Sequence, residues 1–159
     1  MRGYLVDTNI PSEFTRDQPD ARVVQFIREA GQENLFLTVM ALGEIRKGID
    51  LLPISQKRTG LQDWLDIDVR AWFAGRILPV TEVIAQRWGQ LAAAQKQGVT
   101  LAVVDGVIAA TALEHDLTLV TRKHEAFHDA RRHPDKSMGI KVRQAPRRYI
   151  NKAGDNTSE

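Results

Sequence analysis

A chain of 159 residues, 43% hydrophobic and 26% charged, has the size and composition of one globular domain with a real core, too short for two. No run of 18 apolar residues occurs, which excludes a transmembrane helix, and the lack of cysteine excludes disulfides and thiol chemistry. The net charge of +2 conceals an asymmetry: residues 1–121 carry 12 Lys+Arg against 15 Asp+Glu, whereas residues 122–159 carry 10 against 5. An acidic body with a basic C-terminal segment can offer a metal site beside a phosphate-attracting surface, although a solvated basic tail has the same composition. Met1-Arg2-Gly3 leads into a short strand instead of a signal segment, so a cytoplasmic protein without membrane attachment is expected. The glycosylation pattern at Asn156-Thr157-Ser158 reads as chance in that setting.

The chain opens on Tyr4-Leu5-Val6, a β-leaning run that stops at Asp7-Thr8-Asn9, residues of turns and caps. Residues 10–31 read as a helix with Pro11-Ser12-Glu13 in its first turn and Gly31 at its end. Leu35-Phe36-Leu37-Thr38-Val39 reads as a second buried strand, followed by a helix over 41–52 in which Leu42, Ile45 and Ile49 keep helical spacing. After the break at Pro53, residues 56–75 form an amphipathic helix with Leu61, Trp64, Leu65, Val69, Trp72 and Phe73 on its inner side. A third strand over 76–80 contains Pro79, which favours a sheet edge. Thr81 can cap a helix that ends at Gly98, and Asp105 opens a helix of small and branched residues suited to close packing. Leu117 to Thr121 is the clearest strand; a short helix over 123–132, a weak strand at Ile140-Lys141-Val142 and a disordered tail over 147–159 follow, leaving 1–146 as the folded domain.

Strands alternating with helices specify an α/β fold in three layers, α/β/α, around a central parallel sheet of four to five strands. That topology brings Asp7, Glu44, Asp105 and Thr121 to one end of the sheet, where open α/β sheets bind ligands. Taken singly, Asp7 reads equally as an Asx-turn, Asp105 as a helix cap and Glu44 as part of a solvated face. Taken together, carboxylates held close repel and need a proton or a cation. Hard oxygen donors suit Mg²⁺ or Mn²⁺, and the chemistry that follows is metal-activated water attacking a phosphodiester, with paired ions roughly 3.5–4 Å apart in two-metal sites.

These residues carry a resemblance. Tyr4-Leu5-Val6-Asp7-Thr8-Asn9, Glu44 within Ala41-Leu42-Gly43-Glu44-Ile45, the block Asp105-Gly106-Val107-Ile108-Ala109-Ala110-Thr111-Ala112, and Leu117-Thr118-Leu119-Val120-Thr121-Arg122 are similar to the PIN-domain family, and more narrowly to VapC and FitB-type toxins, over residues 4–127. The resemblance implies a Mg²⁺- or Mn²⁺-dependent ribonuclease, a hydrolase cutting structured RNA, often tRNA, and silenced by a cognate VapB-like antitoxin. It also implies a homodimer that meets operator DNA only through the antitoxin. Asp7, Glu44 and Asp105 would be the acidic, metal-holding site, and Thr8, Asn9 and Thr121 its polar surroundings.

The sequence departs from the family where Asn-x-x-Asp-Phe commonly follows Thr-Arg: here Lys123-His124-Glu125-Ala126-Phe127 puts alanine at the fourth acid, with Glu125 one residue early as a candidate replacement. Two other readings stay open. His124-Glu125-Ala126-Phe127-His128 matches the zinc-protease pattern His-Glu-x-x-His, but Arg131 and Pro134 stand where the extended pattern has Gly and His. A non-catalytic RNA-binding module would use the basic segment, in which only Phe127 and Tyr149 are aromatics available for base stacking.

Overall fold

The computed structural model describes residues 3–94, 101–127 and 141–145. Five short strands make one parallel sheet: β1 (Tyr4–Val6), β2 (Leu35–Thr38), β3 (Ile77–Leu78), β4 (Thr118–Thr121) and β5 (Val142–Gln144), in the order β3-β2-β1-β4-β5. Tyr4 lies opposite both Leu35 and Thr118, so β1 is central, with β2 and β4 on either side. Parallel neighbours cannot be joined by tight hairpins, so crossover segments cover the sheet. The helices are α1 (Asn9–Glu13), α2 (Ala21–Ala30), α3 (Val39–Asp50), α4 (Gln56–Asp63), α5 (Arg70–Trp72), α6 (Glu82–Ala94) and α7 (Val103–Glu114).

The strand pleat sends alternate residues to opposite faces. Val6, Leu35, Leu37 and Val120 meet Ile10, Phe26, Ile45 and Phe73 from α1–α5 on one face. Leu5 and Leu119 meet Ile84, Leu91, Ile108 and Ala109 from α6 and α7 on the other. This is the three-layer arrangement the sequence pattern implies. The strand expected over 76–80 does lie at a sheet edge, although it is confined to Ile77–Leu78 and ends before Pro79.

Four of the differences in boundaries have an identifiable cause. The helix expected over 10–31 is two: α1 ends at Glu13, and after Pro19 Asp20 starts α2 afresh, its Oδ1 accepting from the Arg22 backbone N–H at 2.9 Å. The helix expected over 56–75 runs from Gln56 to Trp72 through one wide π-helical turn, Trp64–Val69, that keeps Leu65 and Val69 buried. Asp105 does not cap α7 but lies inside its first turn, since Ala102 occupies the cap position without a side-chain bond. The last strand is Val142–Gln144, two residues later than expected, because its register pairs Leu119 with Val142. Gly98, the segment 128–140 and the tail from 146 lie outside the described residues.

Gly106 sets how closely α7 approaches α6: a Cβ there would sit 2.8 Å from Cδ1 and 3.0 Å from Nε1 of Trp88. The small-residue run from Gly106 to Ala112 is buried throughout, which fixes α7 and with it Asp105 beside the sheet edge. Among the described residues no helix is long and apolar enough to cross a membrane.

Candidate active site

Asp7 is the first residue beyond β1. Its backbone N–H donates to the Val120 carbonyl at 3.0 Å, extending the ladder and holding the residue at the C-terminal edge of the sheet. The buried carboxylate is held on both oxygens: Oδ1 accepts from the Thr8 backbone N–H at 2.8 Å and Oδ2 accepts from the Thr121 hydroxyl at 2.7 Å. Thr121 ends β4 fully buried, and its Oγ1 in turn accepts the Lys123 backbone N–H at 3.0 Å. Thr8 therefore acts on Asp7 through its main chain, and Thr121 through its side chain.

Asp105 is 9% exposed in the first turn of α7, where the helix's N-terminal N–H groups favour negative charge. The Lys123 ammonium donates to its Oδ1 at 3.2 Å and is 3.5 Å from its Oδ2. Partial burial pushes the Lys123 ammonium toward losing its proton. The charge and hydrogen bond of Asp105, and the charges of Asp7 and Glu44, outweigh that and hold its pKa above the ordinary lysine value.

Glu44 is half-buried in the second turn of α3, whose start is fixed by the Thr38 hydroxyl accepting from the Ala41 N–H at 3.0 Å. With Thr8, Ser12, Gly48 and Trp64 it lines a groove of about 250 Å³ between α1 and α3. Among the described residues, no three Asp, Glu, His or Cys side chains stand close enough to share one ion as they lie. Of the three acids, Asp105 is in direct contact with the Lys123 ammonium. The donor set nevertheless fits a hard divalent ion. It offers carboxylate oxygens and, two residues after Asp7, the Asn9 Oδ1, a buried oxygen with no hydrogen-bond partner.

Three residues the sequence analysis passed over belong to this region. Glu13, on α1, is 1% exposed; its Oε1 accepts from the Asp20 backbone N–H at 3.1 Å and its Oε2 lies 3.2 Å from Arg122 and 3.5 Å from Arg16. Consecutive residues Thr121, Arg122 and Lys123 therefore grip Asp7, Glu13 and Asp105 in turn. The available signal was an acid three residues after Ile10, on the inward side of a helix, where a charge must find a partner. For Lys123 the signal was a cation directly after the last strand, where the resembling family has asparagine.

Glu125 and Ala126 are both exposed in the single tight turn His124–Phe127 that follows β4. That turn replaces the start of the expected helix over 123–132 and ends before the second histidine of His-Glu-x-x-His; His128 lies outside the described residues. Phe127 is 1% exposed and packs with Leu119 and Ile108, so it is not available for stacking on a base, contrary to the reading that counted it as such.

Residues 4–132 match the family described as PIN domain. Toxin FitB of Neisseria gonorrhoeae is 39% identical over 127 residues, covering 79% of this chain and 91% of that protein. VapC ribonuclease Y4jK of Sinorhizobium fredii is 33% identical over 127 residues, with the same coverages of 79% and 91%. A solved structure of FitAB bound to an IR36 DNA fragment superposes with a TM-score of 0.74 at 33% identity, covering 89% of this chain and 94% of that one.

Proposed function

The chain belongs to the PIN-domain family, and from that premise we propose that it is the ribonuclease toxin of a toxin–antitoxin pair, dependent on Mg²⁺ or Mn²⁺. The observation that carries this reading is that the buried carboxylates of Asp7, just past β1, and Asp105, in the first turn of α7, are held by two residues of one segment, Thr121 and Lys123, at the C-terminal edge of the sheet. Asp7, Glu44 and Asp105 would hold the ion, with the Asn9 Oδ1 as a further hard oxygen. When bound, the ion supplies an activated water and charge neutralisation at a phosphodiester. The chain's own part is positional: Thr121 and the Thr8 N–H orient the Asp7 carboxylate, and the first turn of α7 presents Asp105.

The substrate class is structured RNA, with tRNA as the candidate to assay first. The partner is a VapB-like antitoxin that binds operator DNA on the toxin's behalf, in line with the DNA-bound FitAB complex at 33% identity; the family resemblance also makes the toxin a homodimer.

Two variants test the reading. Asp7→Asn and Asp105→Asn keep shape and remove charge, so each should fold and each should lose RNA cleavage and growth arrest on expression. Wild-type cleavage should vanish in EDTA and return with millimolar-range Mg²⁺ or Mn²⁺, since these ions bind through few protein ligands. Wild-type cleavage by either variant, or cleavage in EDTA, would overturn it.

A further inference from the structure

Among the described residues, the Lys123 ammonium pairs directly with Asp105, the nearly buried acid in the first turn of α7. Its ammonium lies on Asp105 at 3.2 Å from Oδ1 and 3.5 Å from Oδ2, while its backbone N–H is tied to Thr121 at 3.0 Å. The main-chain tie fixes where the side chain starts, and the carboxylate fixes where it ends. Lysine suits this role because its charge is a compact point with three donors.

We infer that Lys123 is a tethered cation of the metal site, supplying permanently one of the positive charges that the acids require, so that the site takes a single divalent ion. Charge supports the assignment: three carboxylates and one ammonium leave two negative charges, which one divalent ion balances. Geometry supports it as well, because the ammonium lies within 3.5 Å of both Asp105 oxygens and so competes with a cation for them. The lysine also offsets the charge of the nearly buried Asp105 when no ion is bound. Ala126, exposed and uncharged in the following turn, adds no compensating acid. The inference rests on the metal-dependent reading of the site and names the residue that sets its ion count.

The experiment uses the full chain, purified, stripped of metal and titrated with Mn²⁺ by calorimetry and by electron paramagnetic resonance. Wild type should bind one Mn²⁺ per chain. Lys123→Gln should bind Mn²⁺ on the order of tenfold more tightly or take a second ion, because a positive charge has left the carboxylates. Lys123→Arg should stay near the wild-type affinity and count. A second readout covers poor folding of the glutamine variant: in EDTA its thermal midpoint should fall below wild type, and Mn²⁺ should raise it by more than it raises wild type. Equal affinity, ion count and Mn²⁺-induced stabilisation in wild type and Lys123→Gln would overturn the tethered cation while leaving the metal site standing. Failure of both proteins to bind Mn²⁺ would overturn the metal reading itself, and this inference with it.

Discussion

The hydroxyl of Thr121 reaches the carboxylate of Asp7 at 2.7 Å across 114 positions of sequence, joining the ends of two neighbouring strands. Both groups are buried, and the acceptor is charged, which makes the bond worth about 1.5–3 kcal/mol. Thr121→Val keeps the shape and removes the donor. It should lower stability by about 2 kcal/mol in urea unfolding and reduce RNA cleavage, whereas Thr121→Ser should retain most of both. A valine variant as stable as wild type would show that Asp7 does not depend on the hydroxyl.

The pair formed by Glu13 and Arg122 predicts an asymmetry. Glu13 is 1% exposed and cannot regain water, while the Arg122 side chain is 29% exposed and can. Removing one partner of a buried pair costs about 3–5 kcal/mol when the other is stranded. Arg122→Met should therefore approach about 3 kcal/mol of destabilisation, with Arg16 at 3.5 Å softening the loss, and Glu13→Met should cost clearly less. Urea midpoints for the two variants give the order, and the reverse order would contradict it.

Much of this framework is legible in the sequence, for local reasons. The change from Tyr4-Leu5-Val6 to Asp7-Thr8-Asn9 marks a strand end wherever it occurs, and the run from Gly106 to Ala112 announces close packing by its small side chains. The division of segment 10–31 is less legible: Pro11-Ser12-Glu13 and Gly31 mark the start and end of one helix, while the new start at Asp20 rests on a cap seen only in the structure. The grips of Arg122 on Glu13 and of Lys123 on Asp105 are of another kind. They join residues 109 and 18 positions apart, and the second depends on α7 beginning at Val103, so that Asp105 is a first-turn residue and not a cap. No periodicity encodes a contact of that sort.

Close packing at Gly106 gives a third prediction. Gly106→Ala places a methyl within 3.0 Å of the Trp88 ring and should destabilise by about 1–3 kcal/mol, the usual cost of overfilling a packed contact. Trp88→Leu, neutral to mildly destabilising alone, should recover part of that loss in the double variant. Additive losses in the thermal midpoints would mean that the two residues do not share the contact.

Asp20 supplies a pH signature. The Arg22 backbone N–H at the start of α2 is the main cause holding its carboxyl below the ordinary value; burial opposes this, and the Arg22 side chain adds to it. A depressed folded value means that the stabilisation is complete above the unfolded pKa of about 3.9 and is lost as pH falls through the folded value. Asp20→Ala should cost about 1 kcal/mol at pH 7, and the gap to wild type should close below about pH 4. A gap independent of pH between 7 and 3 would contradict the charged cap.

The grip of residues 121–123 on acids that precede them has a consequence for the order of synthesis. The ribosome delivers β1, with Asp7, near the beginning of the chain, and delivers its central neighbour β4 only after α7. Until then β1 is a sheet margin. Asp7 waits without its threonine, Glu13 without Arg122 and Asp105 without its ammonium. A nascent chain stalled or cut before Thr121 carries every acid of the cleft in the wrong surroundings, so the destructive chemistry proposed for this protein is assembled late, by three residues that arrive as β4 closes the open side of β1.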